Sequence, residues 1–230
     1  MIELYSWPTP NGMKISIALE EMGLEHRVLP VDIGKGDQFK PEFLAISPNN
    51  KIPAIVDHAP ADGGAPVSLF ESGAILLYLG EKTGQFLSAD LRQRATTLEW
   101  LFWQVAGLGP MSGQYGHFHV YAPEIITYAR DRYANEVNRL YSVMDKRLGQ
   151  EAFLAGDYSI ADMACYPWVN SYDKAPIDLT PFPNLRRWFA SIKARPAVAK
   201  VYAERDSVYG ERKPMSDEEK KILFGQNKAG

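Results

Sequence analysis

Cysteine is almost absent: the 230 residues contain one, Cys165. One cysteine cannot close an internal disulfide, which fits a reducing, cytoplasmic compartment. It also excludes a Cys-x-x-Cys redox pair within the chain. An excess of charge of one sign is missing too. The 25 Lys and Arg against 28 Asp and Glu leave a net charge of −3, and the basic residues are scattered. No long-range field therefore draws the chain to nucleic acid or to an anionic membrane. No run approaches the roughly 20 apolar residues of a membrane span. Met1-Ile2-Glu3-Leu4-Tyr5 has neither a basic n-region nor a long apolar h-region, so no signal peptide is expected. What is present is the balance of an ordinary folded chain, 46% hydrophobic and 23% charged. The length suits one large domain or two ordinary ones.

The first 83 residues alternate strand and helix signals. Ile2-Glu3-Leu4-Tyr5 reads as a strand, and Pro8-Thr9-Pro10-Asn11-Gly12 as a turn cluster. From Lys14 to Met22 a helical stripe of Ile15, Ile17, Ala18, Leu19 and Met22 stops at Gly23. His26 to Val31 is a second strand, and Pro41 opens a short helix. Ala54 to Asp57 and Val67 to Phe70 form a hairpin about Gly63-Gly64, and Glu71 to Glu81 is a helix. The order β-α-β-α-β-β-α is thioredoxin-like, with a mixed sheet covered by helices. Residues 84–89 read as a linker. Residues 90–205 show no strand signal and read as an all-helical domain, with helices over 91–105, 123–148, 160–172, 185–194 and after Pro196. Beyond Asp206 the polar segment 206–230 is expected to be a loose tail with a disordered end.

In a thioredoxin-like domain, chemistry sits where the first strand meets the first helix, whose free N–H groups and positive dipole end stabilise a thiolate. Here that junction has no cysteine. Its polar side chains are Thr9 and Asn11. Either can donate to the sulfur of a bound thiol, or they simply cap the helix. In Ser47-Pro48-Asn49-Asn50-Lys51-Ile52-Pro53-Ala54, a cis Ile52–Pro53 bond would turn the Ile52 backbone outward to pair with a peptide ligand; an ordinary trans edge proline is the alternative. In Leu69-Phe70-Glu71-Ser72-Gly73, the helix start and Ser72 suit a carboxylate and Glu71 suits an ammonium, or both are plain caps. A γ-glutamyl group carries both charges. Gln38 and Lys51 would complete such a pocket, Lys51 facing a second carboxylate.

Together, Thr9-Pro10-Asn11-Gly12, Gly36-Asp37-Gln38-Phe39, Ser47 to Ala54 and Phe70-Glu71-Ser72-Gly73-Ala74-Ile75 resemble the nu-class glutathione transferases, especially their bacterial disulfide-bond reductase members. Leu98 to Val105, Gly107-Leu108-Gly109-Pro110-Met111 and Tyr158 to Met163 are similar as well, and the likeness covers roughly residues 1 to 205. The resemblance implies a homodimer that binds glutathione or its disulfide at Asn11, Gln38, Ile52, Glu71 and Ser72, with Arg132 reaching in from the helical domain and Thr9 beside the sulfur. Pro53 and Lys51 belong to the same pocket. It implies a thiol–disulfide oxidoreductase that borrows its thiols from bound glutathione and acts on a small disulfide, with no metal. Conjugation of glutathione to electrophiles and a non-enzymatic regulatory role are the alternatives.

Three other features have structural readings. Tyr158-Ser159-Ile160-Ala161-Asp162-Met163 reads as a capping box with a Tyr158–Met163 staple. His117-Phe118-His119 lacks an obvious third metal ligand and suits packing or a co-substrate wall. Cys165, between Ala164 and Tyr166, reads as a buried small hydrophobe. Trp100, Phe102 and Trp103 are candidates for core or interface.

Overall fold

The computed structural model describes residues 1–170, 177–211 and 214–225. The chain forms two compact units, one joining Met1–Tyr78 with Lys200–Gly230, the other Leu79–Ala199. This division differs from the boundaries read in the sequence, because the chain's last part belongs with the first unit.

The first unit contains β1 (Ile2–Ser6), α1 (Pro10–Glu21), β2 (His26–Pro30), a 3-10 turn (Asp37–Phe39), α2 (Pro41–Leu44), β3 (Ala54–Asp57), β4 (Val67–Phe70) and the start of α3 (Ser72–Thr83). The sheet order is β2-β1-β3-β4; β1 and β2 are parallel, the other pairs antiparallel. This is the expected mixed thioredoxin-like sheet. α1 starts earlier than the apolar stripe suggests, because Pro10 supplies a ready-made first turn and Thr9 caps it. At 12 residues α1 is too short to be stable alone in water. Burial holds it: every residue from Gly12 to Leu19 is buried. α3 is tied to the sheet by Tyr78, whose hydroxyl donates to the buried Asp57 at 2.7 Å. Burial, and then that carboxylate, push the Tyr78 pKa up.

The expected loose tail is a correction. α9 (Pro196–Tyr209) runs past Asp206, and α10 (Asp217–Phe224) follows. Composition hid a capping signal: Ser216 accepts from the Glu219 amide, and the Glu219 carboxylate accepts from the Ser216 amide at 2.6 Å. Asp217, Glu218 and Glu219 add negative charge to the first turn of α10, where the helix dipole favours it. This segment is part of the first unit. Lys200 pairs with Glu20 at 2.9 Å, Tyr209 meets Trp7 edge-on, and Ile222 and Glu219 lie against Gly36 and Gly34. The expectation of disorder for the last five residues lies outside the described residues.

The second unit holds α4 (Leu91–Trp103), α5 (Gly109–Gly116), α6 (Thr127–Leu148), α7 (Ile160–Val169), α8 (Pro183–Lys193) and the first turn of α9. The helix read over 91–105 continues through a π-turn, Gln104–Leu108, into α5, and after α5 through a second, His117–Tyr121. In the first, the Gly109 amide reaches back to the Gln104 carbonyl. The wider turn relieves the clash between Pro110 and the carbonyl four residues earlier. A Cβ on Gly109 would come within 2.7 Å of the Gln104 amide nitrogen, so the turn depends on glycine. α6 begins at Thr127, not Pro123, after the non-helical Ala122 (φ −57°, ψ 137°) and Ile126 (φ −101°, ψ 87°). Of the helix read as ending at Tyr172, residues 171–172 lie outside the described residues.

Asp162 does more than close the Ser159 capping box. Oδ2 accepts from the Ser159 amide (3.0 Å) and hydroxyl (3.2 Å); Oδ1 accepts from the Leu154 amide (3.0 Å) and Trp188 Nε1 (2.8 Å). One carboxylate thus joins α7, the preceding loop and α8. Tyr158 packs edge-on against Phe86 and Phe153 beneath the Arg195 guanidinium. The 0.5–2 kcal/mol of an ordinary cap therefore understates Asp162. Burial raises its pKa to about 6, against the lowering effect of its donors. Between about pH 4 and 6 the folded state therefore holds a proton here that the unfolded chain has released. Its contribution to stability is full below about pH 4 and is lost as pH rises through about 6. Asp162→Asn puts an amide N–H against two donors and should cost about 1–3 kcal/mol at pH 7. In urea unfolding, the advantage of the native residue over Asn should widen by about 2 kcal/mol between pH 7 and 4.5. An advantage independent of pH would refute the raised pKa.

Candidate functional site

Strand register decides where the motifs lie. Ser6 pairs with Pro30, Tyr5 with Ala54, and Ala54 with Phe70. The C-terminal ends of β1, β2 and β4 and the N-terminal end of β3 therefore share one edge of the sheet. Each expected motif of the first unit adjoins that edge: Thr9 and Asn11 after β1, Gln38 after β2, Lys51-Ile52-Pro53 before β3, Glu71 and Ser72 after β4. The N-termini of α1 and α3 start there too. A buried hydrogen bond links the two helices, from Lys14 Nζ to Ser72 Oγ at 3.1 Å.

Thr9 is the N-cap of α1: its Oγ1 accepts from the Gly12 amide at 3.3 Å. Capping and donation were alternatives in the sequence, but the geometry makes them compatible. A hydroxyl that accepts through a lone pair keeps its proton for another partner. Asn11 is in the first turn of α1 and is partly buried. Gly12 permits the turn, since a Cβ there would overlap the Trp7 carbonyl oxygen and Ser6 Oγ.

Gln38 is buried. Its Nε2 donates to the Ile33 carbonyl at 3.1 Å, and its Oε1 has no partner among the described residues. The Asp32–Phe39 loop around it is fixed by Asp37, which accepts from the Asp32 amide, and by Asp32, which accepts from the Gly34 amide. The Ile52–Pro53 bond is cis. Ile52 packs its side chain on the Val31, Phe43 and Ala54 cluster. Ser47, fully buried, donates to the Lys51 carbonyl at 2.8 Å, and the Lys51 side chain is exposed.

Glu71 has φ 73°, a left-handed conformation that costs a non-glycine residue of order 1 kcal/mol or more and gathers at ligand sites. It is exposed, and its carboxylate has no partner among the described residues. Ser72, the first residue of α3, is buried. The first intrahelical bond runs from the Ile75 amide to the Glu71 carbonyl, so the amides of residues 72–74 lie ahead of the helical ladder.

Arg132 belongs to the second unit, where it is exposed on α6 and 3.9 Å from Glu136. Phe118 stacks on Tyr133, His117 meets Phe118 edge-on, and His119 packs on Tyr115. Both histidines are thus packing residues of an aromatic cluster. Among the described residues no group of three or more His, Cys, Asp or Glu could hold a metal ion. Cys165 is fully buried in α7. Lys14 is the residue that sequence reading missed. Its signal was present: a lone lysine among Met13, Ile15, Ile17 and Leu19, in a helix otherwise apolar on most sides.

Comparison with known proteins agrees with this geometry. Residues 1–81 match the model for the glutathione S-transferase N-terminal domain, and 118–196 that for its C-terminal domain. The chain is 61% identical over 202 residues to the disulfide-bond oxidoreductase YfcG of Escherichia coli, covering 87% of this chain and 94% of the relative. A glutathione transferase of Pseudomonas putida, solved with one glutathione disulfide per subunit, superposes with a TM-score of 0.81 at 47% identity, covering 86% of this chain and 89% of that one. One from Burkholderia graminis, with two glutathiones per subunit, gives 0.84 at 45% identity, over 90% and 88% of the two chains. With both domain models matched in order on a fold of the same kind, the chain belongs to the glutathione transferase family.

Proposed function

We propose that this protein is a glutathione-dependent thiol–disulfide oxidoreductase whose reactive sulfur is that of bound glutathione. The observation that carries this reading is the convergence of Thr9, Asn11, Gln38, Ile52, Glu71 and Ser72 on one sheet edge with two helix N-termini, while Cys165 is buried in the other unit. The activity of the Escherichia coli relative and the ligands of the two structures support it.

In this reading the γ-glutamyl carboxylate meets Ser72 and the α3 amides, and its ammonium meets Glu71. The cysteinyl backbone pairs with Ile52 beside Pro53. The glycyl carboxylate meets Lys51 and Gln38, and Arg132 belongs to the same glutathione-binding set. The sulfur lies at the head of α1, where Thr9 and Asn11 donate to it and the dipole favours its thiolate over a free thiol of pKa near 8.5. That thiolate attacks one sulfur of a substrate disulfide. A mixed disulfide forms and the other substrate sulfur leaves as a thiolate that takes up a proton. A second glutathione thiolate then attacks the glutathione sulfur of the mixed disulfide. Glutathione disulfide and the second substrate thiol are released; two glutathione thiols are oxidised and one disulfide is reduced.

A homodimer in the cytoplasm belongs to the same proposal. α4 exposes Leu91 and Phe102, apolar surface that a second copy would cover. The lone cysteine suits a reducing compartment.

Turnover of 2-hydroxyethyl disulfide with glutathione should exceed background clearly; conjugation of chlorodinitrobenzene without any disulfide reduction would overturn the reading. Substitutions at Thr9 separate cap from donor. Thr9→Ala should lose about 1 kcal/mol of stability and about tenfold or more in kcat. Thr9→Asp should restore the cap but not the rate, because a carboxylate cannot donate and repels a thiolate. Full activity in Thr9→Asp would remove Thr9 from the chemistry. Glu71→Gln should raise the Kd for glutathione by about tenfold in calorimetric titration, with little change in saturated turnover.

A further inference from the structure

We propose that Lys14 is a positioning residue for the glutathione carboxylate, acting through Ser72; this rests on the function proposed above. Lys14 is 1% exposed, on a helix of the sheet's covering layer, and its Nζ lies 3.1 Å from Ser72 Oγ. Burying a lysine is expensive, and an apolar residue of similar length would pack there without that cost. One of its partners is the first residue of α3.

The hydrogen-bond inventory then fixes a direction. An ammonium has three donors and no acceptor; a hydroxyl has one donor and accepts through its lone pairs. In the Lys14–Ser72 contact the ammonium donates and Ser72 Oγ accepts. The Ser72 proton must therefore point away from Lys14. The acceptor for that proton is the γ-glutamyl α-carboxylate, held by the α3 amides ahead of the helical ladder. Without Lys14 the Ser72 hydroxyl is free to turn its proton away from the carboxylate. Lys14 also places a positive charge one hydrogen bond behind an anion, in surroundings where charges are weakly screened. Ser72 thus recognises a carboxylate because Lys14 holds it as a donor.

The test compares glutathione with 4-aminobutanoyl-Cys-Gly, which keeps the thiol, the glycyl carboxylate and the amine but lacks the α-carboxylate. Both peptides are titrated calorimetrically into the whole protein and its variants. Lys14→Met should weaken glutathione binding by about tenfold or more and change 4-aminobutanoyl-Cys-Gly less than about twofold. Lys14→Arg should retain most of the affinity. Lys14→Gln keeps a donor without the charge and should fall between. In a Ser72→Ala background, Lys14→Gln should add little to the loss, because its route is already gone. Equal weakening of both peptides by Lys14→Met or Lys14→Gln would make Lys14 merely structural and overturn the proposal. So would glutathione affinity within about twofold of the native protein, or an undiminished Lys14→Gln effect in Ser72→Ala. If Lys14→Met does not fold, Lys14→Gln and the Ser72→Ala pair decide the matter. A native protein that binds neither peptide would instead overturn the glutathione reading itself.

Discussion

The tightness of the turn between β1 and α1 is the constraint on which the site depends. Gly12 stands where any side chain would overlap the Trp7 carbonyl oxygen and Ser6 Oγ. With only hydrogen on that face, α1 can begin within four residues of the strand, capped by Thr9 over the sheet edge. A wider turn would draw the helix terminus away from that edge, and Thr9 and Lys14 would move with it. Lys14 could then no longer reach Ser72. The strand register does the rest, bringing β2, β3 and β4 to the same edge with their own loops.

A protein whose chemistry lies in its ligand must solve a problem of placement. It has to hold a flexible tripeptide so that one sulfur lies in a fixed field. Positioning of this kind comes from many modest contacts, each worth about 1–3 kcal/mol, and not from one reactive group. The first unit is built accordingly. Thr9 caps a helix and keeps a proton, Ser72 accepts from Lys14 and keeps a proton, and Glu71 is held in an unfavourable backbone conformation beside them.

Much of this was legible in the sequence. The βαβαββα order and the change to all-helical structure followed from apolar periodicity, and the Ser159–Asp162 box from side-chain spacing. The family followed from several motifs in one order. What could not be read had physical causes. The helix start at Pro10 is set by proline and the Thr9 cap more than by an apolar stripe. The π-turns are invisible to a period of 3.6, so the helix from Leu91 was read as ending at Val105. Hydrogen bonds between residues far apart in the chain, such as Lys14 to Ser72 or Trp188 to Asp162, have no sequence signature. The tail was misread because high polarity outweighed a short capping box. Individual site residues remained ambiguous because Thr, Asn and Ser serve equally as caps and as donors; only the register showed that they share an edge.

The return of residues from Lys200 onward to the first unit has a consequence for synthesis. The sheet and its candidate pocket leave the ribosome before the intervening helices, but the partners of Glu20, Trp7 and Gly34 are made after them. The first unit is therefore completed only after the intervening helices have been made and have had their chance to fold. A message cut short after Ala199 would yield a whole second unit and a first unit lacking its clasp. Loss of the stretch from Lys200 onward would thus be felt around a sheet made far earlier along the chain.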